Sequence, residues 1–123
     1  MKWVILIGDE TLTLESIKVI KHDDSTSSYD VWEGRYCVDY GTQDHIFYDF
    51  FDDMVGQYSE SELNKIPFNT PHFIMMVYKS EERMMAILSQ ENFLKGIYID
   101  NDYGLIVPIE EFIKLENPMG ASI

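Results

Sequence analysis

The chain has 123 residues, 46% hydrophobic and 14% aromatic, which is enough apolar material for one packed domain and too much for a disordered segment. Nine Lys and Arg face 22 Asp and Glu, and the net charge of −13 has the wrong sign for direct binding to a nucleic-acid backbone or an anionic membrane surface. The lone cysteine, Cys37, excludes an intrachain disulfide framework and a multi-cysteine zinc site, and is expected to be a small strand residue.

Trp3 to Ile7 is a continuous apolar run stopped by Gly8, the pattern of a strand buried on both faces. Its five residues are too few for a signal peptide or a membrane span, so a cytoplasmic protein is expected. Thr11 or Thr13 caps a helix running to about Lys21, with Leu14, Ile17 and Ile20 on its inner face. Ser25 to Ser28 reads as a surface loop. Residues 29 to 33 and 35 to 40 form two strands around Gly34. Tyr36, Val38 and Tyr40 alternate with polar neighbours in the second, and Gly41 to Asp44 form a turn. Ile46, Tyr48 and Phe50 continue the alternation in a third strand of the meander, which places Phe47, Asp49 and Phe51 on its opposite side.

Ser59 and Glu62 have capping-box spacing for a short helix that buries Leu63 and Ile66 and ends at Pro67. Phe73 to Tyr78 is a second unbroken apolar strand. Ser80 followed by Glu81 and Glu82 starts a helix with Met84, Ile87 and Leu88 as its core stripe. Residues 97–99 and 105–107 flank Asp100 to Gly104 as a hairpin. Pro108 takes the first position of a last helix containing Ile109, Phe112 and Ile113; Asn117-Pro118 ends it, and the remaining residues fray. This order predicts a single α+β domain over residues 1–123, with one mixed, mostly antiparallel sheet of about five to seven strands covered by three to four helices. Ile5, Ile7, Phe73, Ile74, Val77 and Ile99 are its expected core, with the first strand and the 73–78 strand near the sheet centre.

Charge and aromatics concentrate in one stretch. Between residues 22 and 64, eleven acids face a single base, Arg35, a net of −10. Asp23, Asp24, Asp39, Asp44, Asp49, Asp52, Asp53, Glu60 and Glu62 are expected to lie largely on one side of the domain. That side would draw in a cationic partner through its field. Tyr29, Trp32, Tyr36, Tyr40, Phe47, Tyr48, Phe50, Phe51 and Tyr58 run through the same segment, and interfaces use such residues as anchors. The expected partner-binding residues are therefore Asp39, Asp44, Phe47, Asp49, Asp52, Asp53, Tyr58, Glu60 and Glu62, with Phe47 and Tyr58 as exposed aromatics beside the acids.

Catalytic patterns are weak. Asp100, Asp102 and Glu111 match a calcium loop at its first, third and last positions, but Leu105 stands where the loop requires Gly. Asp49, Asp52 and Asp53 could offer carboxylates to Mg²⁺ for a small metal-dependent hydrolase, although an acidic chain produces such trios by composition alone. His22, His45 and His72 lie far apart and read as surface or strand-end residues; a Cys37/His45 dyad on adjacent strands lacks any activating group. Met75, Met76, Met84 and Met85 read as core gap-fillers. No catalytic residue, metal or cofactor is expected.

In size, acidity and single-domain α+β pattern, the chain resembles the small immunity proteins of bacterial polymorphic toxin and contact-dependent inhibition systems. Its segments Pro71-His-Phe-Ile-Met-Met-Val-Tyr78 and Ile97-Tyr-Ile-Asp-Asn-Asp-Tyr-Gly104 look like family signatures. The resemblance implies a non-enzymatic protein that neutralises a basic partner, often a nuclease toxin domain. It transfers no site residue. An acidic DNA mimic or housekeeping interaction module is the alternative expectation from the same charge.

Overall fold

Among the described residues, alternating and continuous apolar runs fold into a seven-stranded sheet with four short helices. The computed structural model describes residues 1–120. In chain order the elements are β1 (Lys2–Gly8), α1 (Leu14–Lys18), β2 (Ser27–Trp32), β3 (Arg35–Asp39), β4 (His45–Phe51), a 3₁₀ turn at Val55–Gln57, α2 (Glu60–Leu63), β5 (His72–Tyr78), α3 (Glu81–Leu88), β6 (Tyr98–Asp100), β7 (Ile106–Pro108) and α4 (Ile109–Phe112). Among them no helix is long and apolar enough to cross a membrane.

The strand order is β2-β3-β4-β5-β1-β6-β7. Every adjacent pair is antiparallel, so the mostly antiparallel α+β sheet expected from the sequence is antiparallel throughout. The reason lies in the crossover. β5 and β6 run the same way and are joined through α3, as a parallel pair would be, but β1 sits between them and pairs antiparallel with both.

β5 is the fourth of the seven strands and β1 lies beside it, so the two unbroken apolar runs occupy the centre. All six expected core residues are buried, none more than 8% exposed. Register divides the core in two. On one face Val4, Leu6, Val38, Ile46, Tyr48, Ile74, Met76 and Ile99 pack with Ile17 of α1, Met84 and Ile87 of α3, and Phe112 of α4. On the other, Ile5, Ile7, Phe73 and Ile106 pack with Ile66, Leu63, Tyr58 and Phe68 from the 54–68 connection. Met76 and Met84 are fully buried, and Met75 and Met85 half-buried.

Local chemistry sets the ends. Thr13 and Ser59 each form a complete capping box, and the Ser80 hydroxyl accepts from the Arg83 N–H. Gly34 turns β2 into β3 with φ +90, a conformation that a side chain would strain. Pro108 closes β7 and caps α4 instead of entering it. Pro118 and Met119 are buried rather than frayed, because the buried Asn101 amide donates to the Pro118 carbonyl at 2.8 Å. The expected fraying of residues 121–123 lies outside the described residues.

α1 stops at Lys18, a turn short of the expected Lys21. The chain then turns inward at His22. This histidine is not a surface residue: it is 4% exposed, with Nε2 2.7 Å from the Tyr48 hydroxyl and Nδ1 3.1 Å from the Ile20 carbonyl. A carbonyl only accepts, so Nδ1 carries the hydrogen and Nε2 accepts from Tyr48. The bond satisfies a carbonyl that the helix end leaves without an intrahelical partner.

Two predictions follow from this core. Ile74→Ala, in the central strand, is expected to cost roughly 2–5 kcal/mol in chemical denaturation; a loss within error would contradict two-sided burial of β5. Burial holds the His22 pKa below its ordinary 6.5, with the Ile20 carbonyl and Asp23 opposing. The unfolded chain therefore binds the proton more tightly. The stability that neutral His22 contributes is complete above about pH 6.5 and is lost as pH falls through the folded value. His22→Gln is expected to flatten the fall in thermal midpoint on acidification below pH 6.5, and an unchanged slope would refute the assignment.

Candidate functional site

The 54–68 connection covers the β1, β5, β6 and β7 part of its face and leaves β2, β3 and β4 without a helix above them. Register fixes what this open face presents. Tyr29, Cys37, Phe47, Val77 and Trp3 form one row across five strands. Trp32, Arg35, Asp49, Met75 and Ile5 form the next, and Phe51 stands beside Phe73 beyond it. Of the large apolar side chains here, Trp32 is 61% exposed and Tyr29 50%, with Trp3 and Phe51 each more than a third exposed. The alternation expected in β4 holds: Ile46 and Tyr48 are buried toward the helices, Phe50 half-buried with them, and Phe47, Asp49 and Phe51 face the open side.

Arg35 lies at the middle of this face. Its guanidinium carbon is 4.0 Å from the Phe47 ring centre and 5.3 Å from that of Trp32. Its Nε is 3.2 Å from Asp49 Oδ1, an ion pair without the alignment of a hydrogen bond. Burial pushes the Asp49 carboxyl up from the ordinary value, and Arg35 opposes the shift. The His45 ring packs edge-on against Phe47 at 4.8 Å, and burial pushes the Cys37 thiol up, away from the thiolate a nucleophile needs.

The acids do not share one side. Asp39 and Asp49 belong to the open face, and Glu60 and Glu62 to α2 on the covered half of the same side. Asp44 turns to the helical side, where its Oδ2 meets Arg83 Nε at 3.2 Å. Asp23, Asp24, Asp44 and Arg83 all act on the phenol of Tyr40, which burial pushes up to about 12. Asp52 and Asp53 are exposed just after β4. Asp52 lines a cleft of about 560 Å³ with Leu14, Glu33 and Phe50 on the α1 side. The single acidic side therefore fails, because strand alternation and the turns distribute neighbouring acids to both faces.

Tyr58 also departs from its expected role. It is a half-buried part of the second core cluster, stacked on Phe73 at 5.3 Å, and its hydroxyl donates to the buried Asp100 Oδ2 at 2.7 Å. Asp100 Oδ1 accepts from the Asp102 N–H, and Asn101 Oδ1 accepts from the Tyr103 and Leu105 N–H groups, so these side chains build the β6–β7 turn. Among the described residues no group of three or more His, Cys, Asp or Glu is arranged to hold a metal ion. Asp49 is engaged by Arg35 on the open face, whereas Asp52 lines the cleft beside α1.

Sequence reading named Tyr29 and Trp32 only among the aromatics of the acidic segment, missed Trp3 and Arg35, and did not join the four in one surface. The signal was present: once Tyr36 and Tyr48 point inward, antiparallel pairing aligns Arg35, Cys37, Phe47 and Asp49 outward, beside Tyr29.

Removing Arg35 would leave a shielded carboxylate unpaired. Arg35→Met is expected to cost about 1–3 kcal/mol, and the added Asp49→Asn to recover most of it. Additive losses in denaturation of the single and double variants would contradict the coupling.

Comparison with protein-family models, curated proteins and solved structures finds no match for this chain.

Proposed function

We propose that this chain is a non-enzymatic binding protein of the cytoplasm. It neutralises a cationic protein partner by docking on the open β2-β3-β4 face. One observation carries the reading: a chain of net charge −13 gathers Tyr29, Trp32, Phe47 and Phe51 on a sheet face that no helix covers. Exposed aromatic surface of this kind is costly in water and serves as the anchor in protein interfaces. The most concrete partner is a toxin domain with a basic substrate groove, such as a nuclease, since a groove that holds phosphates also attracts carboxylates. In this reading the chain acts as an immunity protein.

Two parts of the surface divide the work. The acids speed encounter through their long-range field, and so act on the association rate. The aromatic anchors act on dissociation once water has been excluded. Asp39 and Asp49 lie within the contact; Asp44, Asp52, Asp53, Glu60 and Glu62 contribute mainly field.

The test is capture from an extract of the native host, followed by binding kinetics with the purified captured protein. The expected partner is basic, its activity is blocked at equimolar ratio, and its association slows steeply with added salt. Trp32→Ala combined with Tyr29→Ala is expected to speed dissociation roughly tenfold or more. An acidic partner, or dissociation unchanged by the double variant, would contradict the reading.

A further inference from the structure

The open face already holds one arginine, and the way it does so bears on what the partner presents. The chain has only two arginines, and each places its guanidinium carbon 4.0 Å from an aromatic ring centre, Arg35 over Phe47 and Arg83 over Tyr40. Lys18 approaches Tyr36 less closely, at 5.6 Å. With Arg35 in place Trp32 is still 61% exposed and Tyr29 50%, so ring surface remains open on the same face. Glu33 directly follows Trp32 in the β2–β3 turn, exposed at the sheet end that also borders the α1-side cleft, and Asp39 ends β3 on the open side. Neither takes part in an ion pair among the described residues. Arg35 is itself offset by Asp49 at 3.2 Å, which reduces its repulsion of an incoming cation.

We propose that this face selects arginine over lysine in its cationic partner, seating one guanidinium on Trp32 beside Glu33 and another on Tyr29 toward Asp39, each carboxylate accepting from the group nearest it. The inference rests on the docking reading above and names the chemistry of the partner's contact. A guanidinium is planar and weakly hydrated. It can lie flat on a ring while its edge donates to a carboxylate. An ammonium is a compact, strongly hydrated charge and loses more hydration on the same ring. Charge complementarity brings either cation to the surface; the aromatic planes distinguish them.

The experiment uses the full chain with dye-labelled octa-arginine and octa-lysine peptides, followed by fluorescence anisotropy at fixed ionic strength. Octa-arginine is expected to bind about tenfold more tightly than octa-lysine. Trp32→Leu combined with Tyr29→Leu keeps apolar bulk and removes the aromatic planes. It is expected to lower octa-arginine affinity toward that of octa-lysine and to leave octa-lysine nearly unchanged. Glu33→Gln with Asp39→Asn is expected to weaken both peptides. Equal affinities in the wild type, absence of binding by either peptide, or an arginine preference unchanged by the double leucine variant would each overturn the proposal. Those outcomes leave the wider reading to be decided by the captured partner, whose salt dependence and dissociation kinetics do not depend on the arginine preference.

Discussion

Unequal covering of the two sheet faces is the constraint from which the rest of this structure follows. Three helices, α1, α3 and α4, pack on one face, and their apolar stripes join Tyr36, Ile46, Tyr48, Ile74 and Met76 in a continuous core. Among the described residues the opposite face has only the 54–68 connection, which packs through Ile66 and its half-buried neighbours against β1, β5, β6 and β7. β3 and β4 therefore have a dry side under the helices and an open side, while the edge strand β2 is exposed on both. A wet side of an antiparallel meander is normally polar. Here it carries tyrosine, phenylalanine and tryptophan rings, and that departure makes the face the candidate site.

Electrostatics acts on two scales. The net charge of −13 produces a field that reaches well beyond any single contact, whichever side each acid occupies. Close pairs act locally: Arg35 with Asp49 on the open face, Arg83 with Asp44 on the helical side, and Lys18 with Glu15 and Asp30. Three of the nine bases are committed to these pairs, so much of the acidic excess remains to interact with solvent or a partner. Inside the domain, polar groups serve the fold. His22 bonds Tyr48, Asp100 accepts from Tyr58, and Asn101 ties the β6–β7 turn to Pro118.

Where a local rule determines structure, the sequence was readable. Unbroken apolar runs identified β1 and β5, capping chemistry identified the starts of α1, α2 and α3, and alternation oriented β4. Long-range partners were not readable. Nothing local reveals that His22 reaches Tyr48, that Tyr58 donates to Asp100 from 42 residues away, or that Asp44 is held by Arg83. The open face falls between these cases. Its members obey alternation on each strand, but they become one surface only when register is combined with knowledge of which face the helices leave bare.

The most direct measurement of the central claim is hydroxyl-radical footprinting of the chain alone and in complex with its captured partner. The account predicts strong protection of Tyr29, Trp32 and Phe51 on the open face. Val19, Tyr103 and Leu115, which are exposed elsewhere, should react at unchanged rates. Protection confined to Val19, Tyr103 or Leu115, with Trp32 reacting as fast in the complex as in the free chain, would show that the partner docks on another surface.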